Sequence, residues 1–403
     1  MRITAIMTLI VSVFTLLTDL YIYLYIKRTA KRGRRDSLIY AATAVLCWIF
    51  IIVTILLPRR DGESSLLPVM WMIYTYVTIY AAKLVFILFT VLTLIPKIWG
   101  GRRPTWSPFV GLLLSVAVFL TMWWGALGGR REIQVINLTQ ESSRIPQGFN
   151  GYKVVQISDL HVGTWGNDTS FVSSFVDRVN VLNPDVILFT GDIVNRNSRE
   201  LEPFVRPLSR LRAADGVYSV TGNHDYGLYQ DWPSAADREK DFRHLNDLQR
   251  QMGWRLLNNE HAYLVRQGDS IPLIGVENWG EPPFGEFGDL KKAYPTLNDG
   301  RYKILMTHNP EHWRQLVTKN SNIDLTLSGH THAMQFIIGD GANGWSPAKY
   351  IYNNWAGLYT DNAKDGTPMN LYVNIGAGEV GLPYRINAAP EITVITLSNK
   401  HRP

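Results

Sequence analysis

"YKVVQISDLH" (residues 152–161) is a β-branched apolar run that stops at Asp159, with His161 two residues further on. Apolar β-formers bounded by polar residues indicate a buried strand. A carboxylate and an imidazole at the carboxyl end of a strand stand where α/β sheets bind ligands. The same arrangement recurs downstream. "DVILFT" (185–190) runs into Gly191 and Asp192, "GVYSV" (216–220) precedes Gly222, Asn223 and His224, and "YKILMT" (302–307) ends at His308. "IDLTL" (323–327) leads into "SGHTHAMQ" (328–335), which carries His330 and His332.

Helix-like segments such as "DTSFVSSFVDRVNVL" (168–182) and "ADREKDFRHLNDLQRQMG" (236–253) fill the gaps. Strands alternating with helices predict an α/β domain. "WRLLNNEHAYLVRQGDSIPLIGVEN" (254–278) reads as hairpins, and "LYVNIGAG" (371–378) and "EITVITL" (391–397) as later strands. The expected product is a pair of mixed sheets with helices outside.

All nine histidines follow residue 160, and five of them lie at these strand ends. With Asp159, Asp192 and Asn223 they form a donor set larger than one metal site uses. Mixed imidazole and carboxylate ligands suit divalent Mn, Fe or Zn better than Ca or Mg. Two metals bridged by a carboxylate fit the count, and such pairs catalyse in-line displacement at phosphorus.

The first third differs. Residues 1–133 hold 15 Lys and Arg against 5 Asp and Glu, while the remainder holds 25 against 29. The sequence pI of about 9.2 therefore belongs to the N-terminal part. A nucleic-acid surface would need basic charge on the globular part, so nucleic acid is not expected as a partner, and a nuclease is disfavoured. The single cysteine, Cys47, excludes an intrachain disulfide.

Four apolar stretches, about Ile3–Ile26, Leu38–Leu57, Leu67–Ile95 and Pro108–Leu127, are each long enough to cross a bilayer. The first is too long for a cleaved signal and is followed by "IKRTAKRGRRD" instead of a small-residue cleavage site. The 27–37 loop carries six Lys and Arg, and "PKIWGGRRPTW" (96–106) carries three. Arg2, Arg59, Arg60, Arg130 and Arg131 lie on the opposite side. This bias places the first and third loops in the cytoplasm and both termini outside. The expected location is the cell (inner) membrane, with the globular domain extracytoplasmic. Asp19 and Lys83 sit inside the first and third spans at similar depth, which predicts a mutual salt bridge.

"DLH" (159–161), "GD" (191–192), "GNHD" (222–225), "TH" (307–308) and "GHTH" (329–332) together resemble the signature of the calcineurin-like metallophosphoesterases, in order and spacing, over roughly residues 150–397. "GLY…LYVNIGAGEVGLPYRINAAPEI" resembles the branch of small bacterial phosphodiesterases that includes enzymes cleaving UDP-diacylglucosamine. The four-span preface is similar to that of transmembrane members. The resemblance implies a four-layer α/β/β/α sandwich after four transmembrane helices. Residues 1–130 would form the membrane domain, 131–150 a linker with the first strand, and 151–403 the catalytic domain. It further implies that Asp159, His161 and His332 hold one metal and Asn223, His308 and His330 a second, with Asp192 bridging. A hydroxide between the metals would attack phosphorus, and His224 would protonate the leaving oxygen.

Two departures stand out. Where phosphoprotein phosphatases read "GDxVDRG", this chain reads "GDIVNRN", so Asn195 replaces a carboxylate and His224 needs another partner, for which Asp225 is the candidate. Arg196 aligns with a phosphate-contacting arginine. Where the branch reads "GHTHGGQ", Ala333 and Met334 replace both glycines. A domain tethered by four spans favours a lipid-linked phosphate, phosphodiester or diphosphate as substrate. The aromatic stretches "NWGEPPFGEFG" (278–288) and "WSPAKYIYNNWAGLY" (345–359) either meet the bilayer or pack internally. The competing class is a membrane receptor or scaffold with a relic domain, against which every expected ligand is present.

Overall fold

The computed structural model describes residues 2–57, 66–101, 104–280 and 285–400. Arg59, Arg60, Arg102, Arg103 and residues 281–284 of the first aromatic stretch lie outside them. The chain divides into two compact units, residues 1–58 with 68–126, and residues 59–67 with 127–403.

The first unit contains the helices Arg2–Thr29, Gly33–Leu56, Leu67–Leu92 and Ser107–Leu127. All four are long and apolar enough to span a membrane. Backbone groups in lipid must be satisfied within the segment, which a helix achieves. Lys83 Nζ lies 2.7 Å from Asp19 Oδ1, as the sequence predicts. Tyr40 and Tyr80 donate hydroxyls to the same carboxylate at 2.7 and 2.8 Å, so three helices meet at one buried charge pair.

The second unit contains two six-stranded sheets. The first joins β1 (Gln134–Ser142), β12 (Glu391–Asn399), β2 (Lys153–Ile157), β3 (Val186–Phe189), β4 (Val217–Ser219) and β5 (Arg255–Leu256), in that order. The second joins β10 (Gly357–Asn362), β11 (Pro368–Val373), β9 (Leu325–Ser328), β8 (Ile304–Met306), β7 (Asp269–Gly275) and β6 (Glu260–Arg266). β2, β3, β4 and β5 run parallel, as do β7, β8, β9 and β11. Of the expected hairpins one forms. β6 and β7 pair antiparallel through Arg266 and Asp269, with Gln267 and Gly268 both at positive φ, as a two-residue turn requires. β5 instead closes the edge of the other sheet.

Side chains alternate across each strand, and the alternation builds the layers. Val186 and Leu188 enter a core between the sheets with Ile304, Met306, Leu325 and Leu327. Ile187 and Phe189 face outward against Phe175 and Leu245 of the helices Ser170–Val181 and Ala235–Gln251. On the other flank Leu305 and Val373 pack against Trp313 and Val317. Three apolar cores separate four layers, α/β/β/α, and each fully buried Val, Leu or Ile contributes roughly 1.5–3 kcal/mol. The second aromatic stretch is divided: Trp355 packs internally, while Tyr350 and Ile351 are exposed.

Candidate metal centre

The parallel strands deliver the polar residues to one edge. Asp159 and His161 follow β2, Asp192 follows β3, and Asn223 and His224 follow β4. From the facing sheet come His308 after β8 and His330 and His332 after β9. The chain bends sharply at these ends: Asp159, His161, Asp192, His330 and His332 all have φ between 40° and 76°. Left-handed backbone costs about 1–2 kcal/mol per non-glycine residue, and such strain concentrates at functional sites. Tight approach is also required. A Cβ on Gly329 would meet Asp159 Oδ2 at 2.2 Å, and one on Gly222 would meet Asp192 Oδ1 at 2.2 Å.

Seven of the eight strand-end residues are buried, and His224 is half-buried. Three donor groups result: Asp159, His161 and His332; His161, Asp192 and His224; and Asp192, His308 and His330. Within each, one ligand atom per residue lies within 4.8 Å of the others. Asp192 Oδ2 is 3.1 Å from His308 Nε2 and 3.5 Å from His161 Nε2. Asp159 Oδ1 is 3.2 Å from His332 Nε2. Six of the seven predicted ligands are thus brought together, with Asp192 common to two groups, and the seventh, Asn223, lines one cavity with Asp192, His330 and His332.

The donor set fits cations. His161 Nε2 faces His332 Nε2 at 3.1 Å, and His308 Nε2 faces His330 Nδ1 at 3.2 Å. Those separations suit two nitrogens each about 2.0–2.1 Å from one ion. Asn223 Oδ1 is buried with no hydrogen-bond partner among the described residues, a costly state without a ligand. His308 Nδ1 lies 2.8 Å from the Thr190 carbonyl oxygen, which fixes its tautomer and leaves Nε2 as the ligand.

Electrostatics agree. Burial would raise the Asp192 carboxyl, but the neighbouring imidazoles, His308 above all, outweigh it and hold Asp192 well below the usual carboxylate range. Burial pushes His161 well down and His330 down to about 3, keeping both neutral, as ligands must be. For His308 burial is outweighed by the Asp192 carboxylate, which lifts it to about 9.

Asp225 does not orient His224. Its carboxylate accepts the backbone N–H groups of Gly222 and Asp192 at 2.9 and 3.0 Å and of Ile193 at 2.9 Å, bracing the two ligand loops against each other. The partner of His224 is the Asn195 backbone carbonyl, 2.7 Å from Nδ1. Arg196 is buried, held by Glu200 at 3.4 Å, and lines a cavity of about 420 Å³ together with Asp192, Asn223, His224, His330 and His332. Ala333 and Met334 adopt φ of 49° and 47°, so the backbone keeps the conformation that glycine would favour.

Sequence reasoning missed three residues. Tyr229 and Tyr352 line the same cavity. Arg130, read as a charge flanking the last span, makes a bidentate pair with Glu379 at 2.9 Å for both contacts and lies over the Trp165 ring. A single sequence gives no signal for a pair 249 residues apart.

Comparison with known proteins places these features. The model described as "Calcineurin-like phosphoesterase" matches residues 152–334, and "Probable Calcineurin-like phosphoesterase, transmembrane domain" matches residues 1–130. An uncharacterized metallophosphoesterase of Bacillus subtilis, YkuE, is 31% identical over 272 residues, 66% of this chain and 86% of that protein. A transmembrane protein with metallophosphoesterase domain from Danio rerio is 30% identical over 294 residues, 71% of this chain. The chain spans 62% of the length of that relative and of a Bos taurus protein of the same name. An uncharacterized metallophosphoesterase of Campylobacter jejuni is 24% identical over 391 residues, 95% of this chain and 96% of that protein.

Proposed function

Since the chain belongs to the calcineurin-like metallophosphoesterase family, we propose that it is a membrane-anchored hydrolase cleaving a phosphate ester, phosphodiester or diphosphate of a lipid-linked substrate. The observation that carries this reading is the position of Asp192, shared by a donor group with His161 and His224 and another with His308 and His330. Asp159, His161 and His332 would hold one divalent ion, and Asn223, His308 and His330 the other, with Asp192 bridging. Mn, Fe and Zn suit such donors. Bound ions of this kind polarise phosphoryl oxygens and supply a nucleophilic hydroxide at neutral pH.

The chain's own groups do the rest. His224, anchored through Nδ1 to the Asn195 carbonyl, keeps Nε2 for proton transfer and, when protonated, donates to the leaving oxygen. Arg196 on the cavity wall offsets phosphoryl charge. Tyr229, Tyr352 and Val380 add apolar lining beside these polar groups, which supports a phosphate attached to an apolar body. Four spans confine the domain to a membrane. The likeness of "GAGEVGLPYRINAAPEI" to the UDP-diacylglucosamine branch supports diphosphates among the candidates. The basic 27–37 loop supports an extracytoplasmic domain on the cell (inner) membrane, and hence a substrate in the outer leaflet.

The test is hydrolysis of an aryl phosphate by the full chain in detergent micelles with Mn²⁺, then of lipid phosphates and diphosphates in mixed micelles. Turnover abolished by chelator and restored by metal is expected. A protein that binds both ions and hydrolyses none of these esters is a receptor or scaffold instead.

A further inference from the structure

Tyr229 touches two members of the centre at once. Asn223 Nδ2 donates to the Tyr229 hydroxyl oxygen at 2.7 Å. The Tyr229 ring stacks on the His224 imidazole, centroids 4.0 Å apart and planes 20° from parallel. Tyr229 stands six residues after Asn223, beyond Gly227 at φ 65°, which turns the chain back over the site. Neither contact belongs to a packed core, since Tyr229 is half-buried and faces the cavity.

The chemistry of a carboxamide explains why the contact matters. Asn223 offers a cation only one oxygen, and its Oδ1 is buried with no hydrogen-bond partner among the described residues. Its NH₂ end, equally polar, needs an acceptor whenever the oxygen is turned toward an ion. The phenol oxygen of Tyr229 is that acceptor, and the bond pins the amide in the ligating position. The stack meanwhile restricts the imidazole of His224 about its own plane, complementing the single bond at Nδ1.

We propose that Tyr229 is a positioning residue for both functions of the centre: its hydroxyl holds Asn223 toward the second metal and its ring holds His224 toward the leaving group. The inference rests on the two-metal reading above. It separates into two parts because Tyr229→Phe removes the hydroxyl alone, while Tyr229→Leu removes hydroxyl and ring.

Partners of metal ligands typically contribute about 10–100-fold to metal affinity. Full-chain protein in micelles, stripped by chelator, is titrated calorimetrically with Mn²⁺, and rates on an alkyl and a nitrophenyl phosphate are compared. Tyr229→Phe should weaken one of two binding steps by that factor, leave the other unchanged, and keep the parent's alkyl-to-aryl rate ratio. In an Asn223→Ala background the same change should have no further effect on Mn²⁺ binding, because the group it positions is gone. Tyr229→Leu should show the binding defect and also lower the alkyl-to-aryl ratio. If the parent binds fewer than two ions, the two-metal reading fails. If the parent binds two and Tyr229→Phe binds both with parent affinity, or weakens binding equally with and without Asn223, the hydroxyl part of the proposal is overturned. A Tyr229→Leu protein with an unchanged rate ratio overturns the part assigned to the ring.

Discussion

His224 Nδ1 lies 2.7 Å from the backbone carbonyl oxygen of Asn195, so the main chain, not a carboxylate, orients the ring. Glu200 secures that carbonyl's residue by accepting the Asn195 backbone N–H at 2.6 Å and the Arg196 N–H at 3.1 Å. The Asn195 side chain is engaged elsewhere, with the Glu379 carbonyl at 3.3 Å. Asn195→Ala should therefore keep most activity, whereas His224→Ala should lose the roughly 10²–10⁴-fold that general acid catalysis contributes. Steady-state kcat on an alkyl phosphate measures both. A loss at Asn195→Ala as large as at His224→Ala would mean that the side chain orients the ring.

Acid catalysis by His224 also fixes a pH trend. Burial depresses its pKa below the ordinary 6.5, with the Asp192 carboxylate and the Asn195 carbonyl opposing only in part. The protonated form that donates to the leaving oxygen is thus lost as pH rises through a value below 6.5. On an alkyl ester, kcat should fall over that window. On a nitrophenyl ester, whose leaving group needs little protonation, it should stay nearly flat. Parallel pH profiles for the two esters would remove His224 from the acid role.

How far the sequence carries depends on whether a feature is local. Strand ends such as Asp159 after "YKVVQIS" are legible because alternation and a terminal polar residue are visible within ten positions. The union of Asp192 with His308 is reached through motif order, since 115 intervening residues hide the contact from any local pattern. Adjacency in sequence makes Asp225 a candidate partner of His224 but says nothing of the direction its side chain takes. Its side chain turns to the backbone of Asp192 and Ile193. Arg130 was legible only as a charge after a span, because its partner Glu379 lies in the loop before β12, at the far end of the chain.

Metal binding should release a proton. The Asp192 carboxylate holds His308 protonated up to about pH 9 in the ion-free protein, and a cation needs the neutral ring. Mn²⁺ added to stripped protein at pH 7–8 should therefore liberate about one proton per chain from this residue, and none once the pH exceeds its pKa. Asp192→Asn should reduce bound metal below one ion per chain, while His161→Ala should retain the ion held by His308 and His330. Elemental analysis gives the stoichiometries and a weakly buffered indicator dye the proton count. Full occupancy in both variants would mean that the ligands are misassigned.

Met334 carries a left-handed φ of 47° on a partly exposed side chain. Replacing it with glycine relieves about 1–2 kcal/mol of strain against roughly 0.5–1 kcal/mol of added chain entropy. Met334→Gly should thus raise stability slightly, by about 0–1.5 kcal/mol on that balance. The same change at an ordinary helical position destabilises. Thermal unfolding in one detergent, with metal removed, measures the sign. A fall in midpoint would show that the Met334 side chain contributes more by packing than its backbone costs.

The Asp19–Lys83 pair can be read as a brace for the membrane helices or as a transport element, and stability separates the two. Lys83 Nζ and the hydroxyls of Tyr40 and Tyr80 all converge on Asp19, which is 6% exposed. Removing one partner leaves the other charge buried and unpaired, which typically costs about 3–5 kcal/mol. Lys83→Met should accordingly lower the unfolding midpoint of the full chain in micelles by many degrees. Asp19→Asn with Lys83→Met removes both charges and keeps a polar group for the two tyrosines, so it should recover most of the loss. If Lys83→Met unfolds like the parent, the pair is not a brace, and its role has to be sought in transport or ligand binding within the spans.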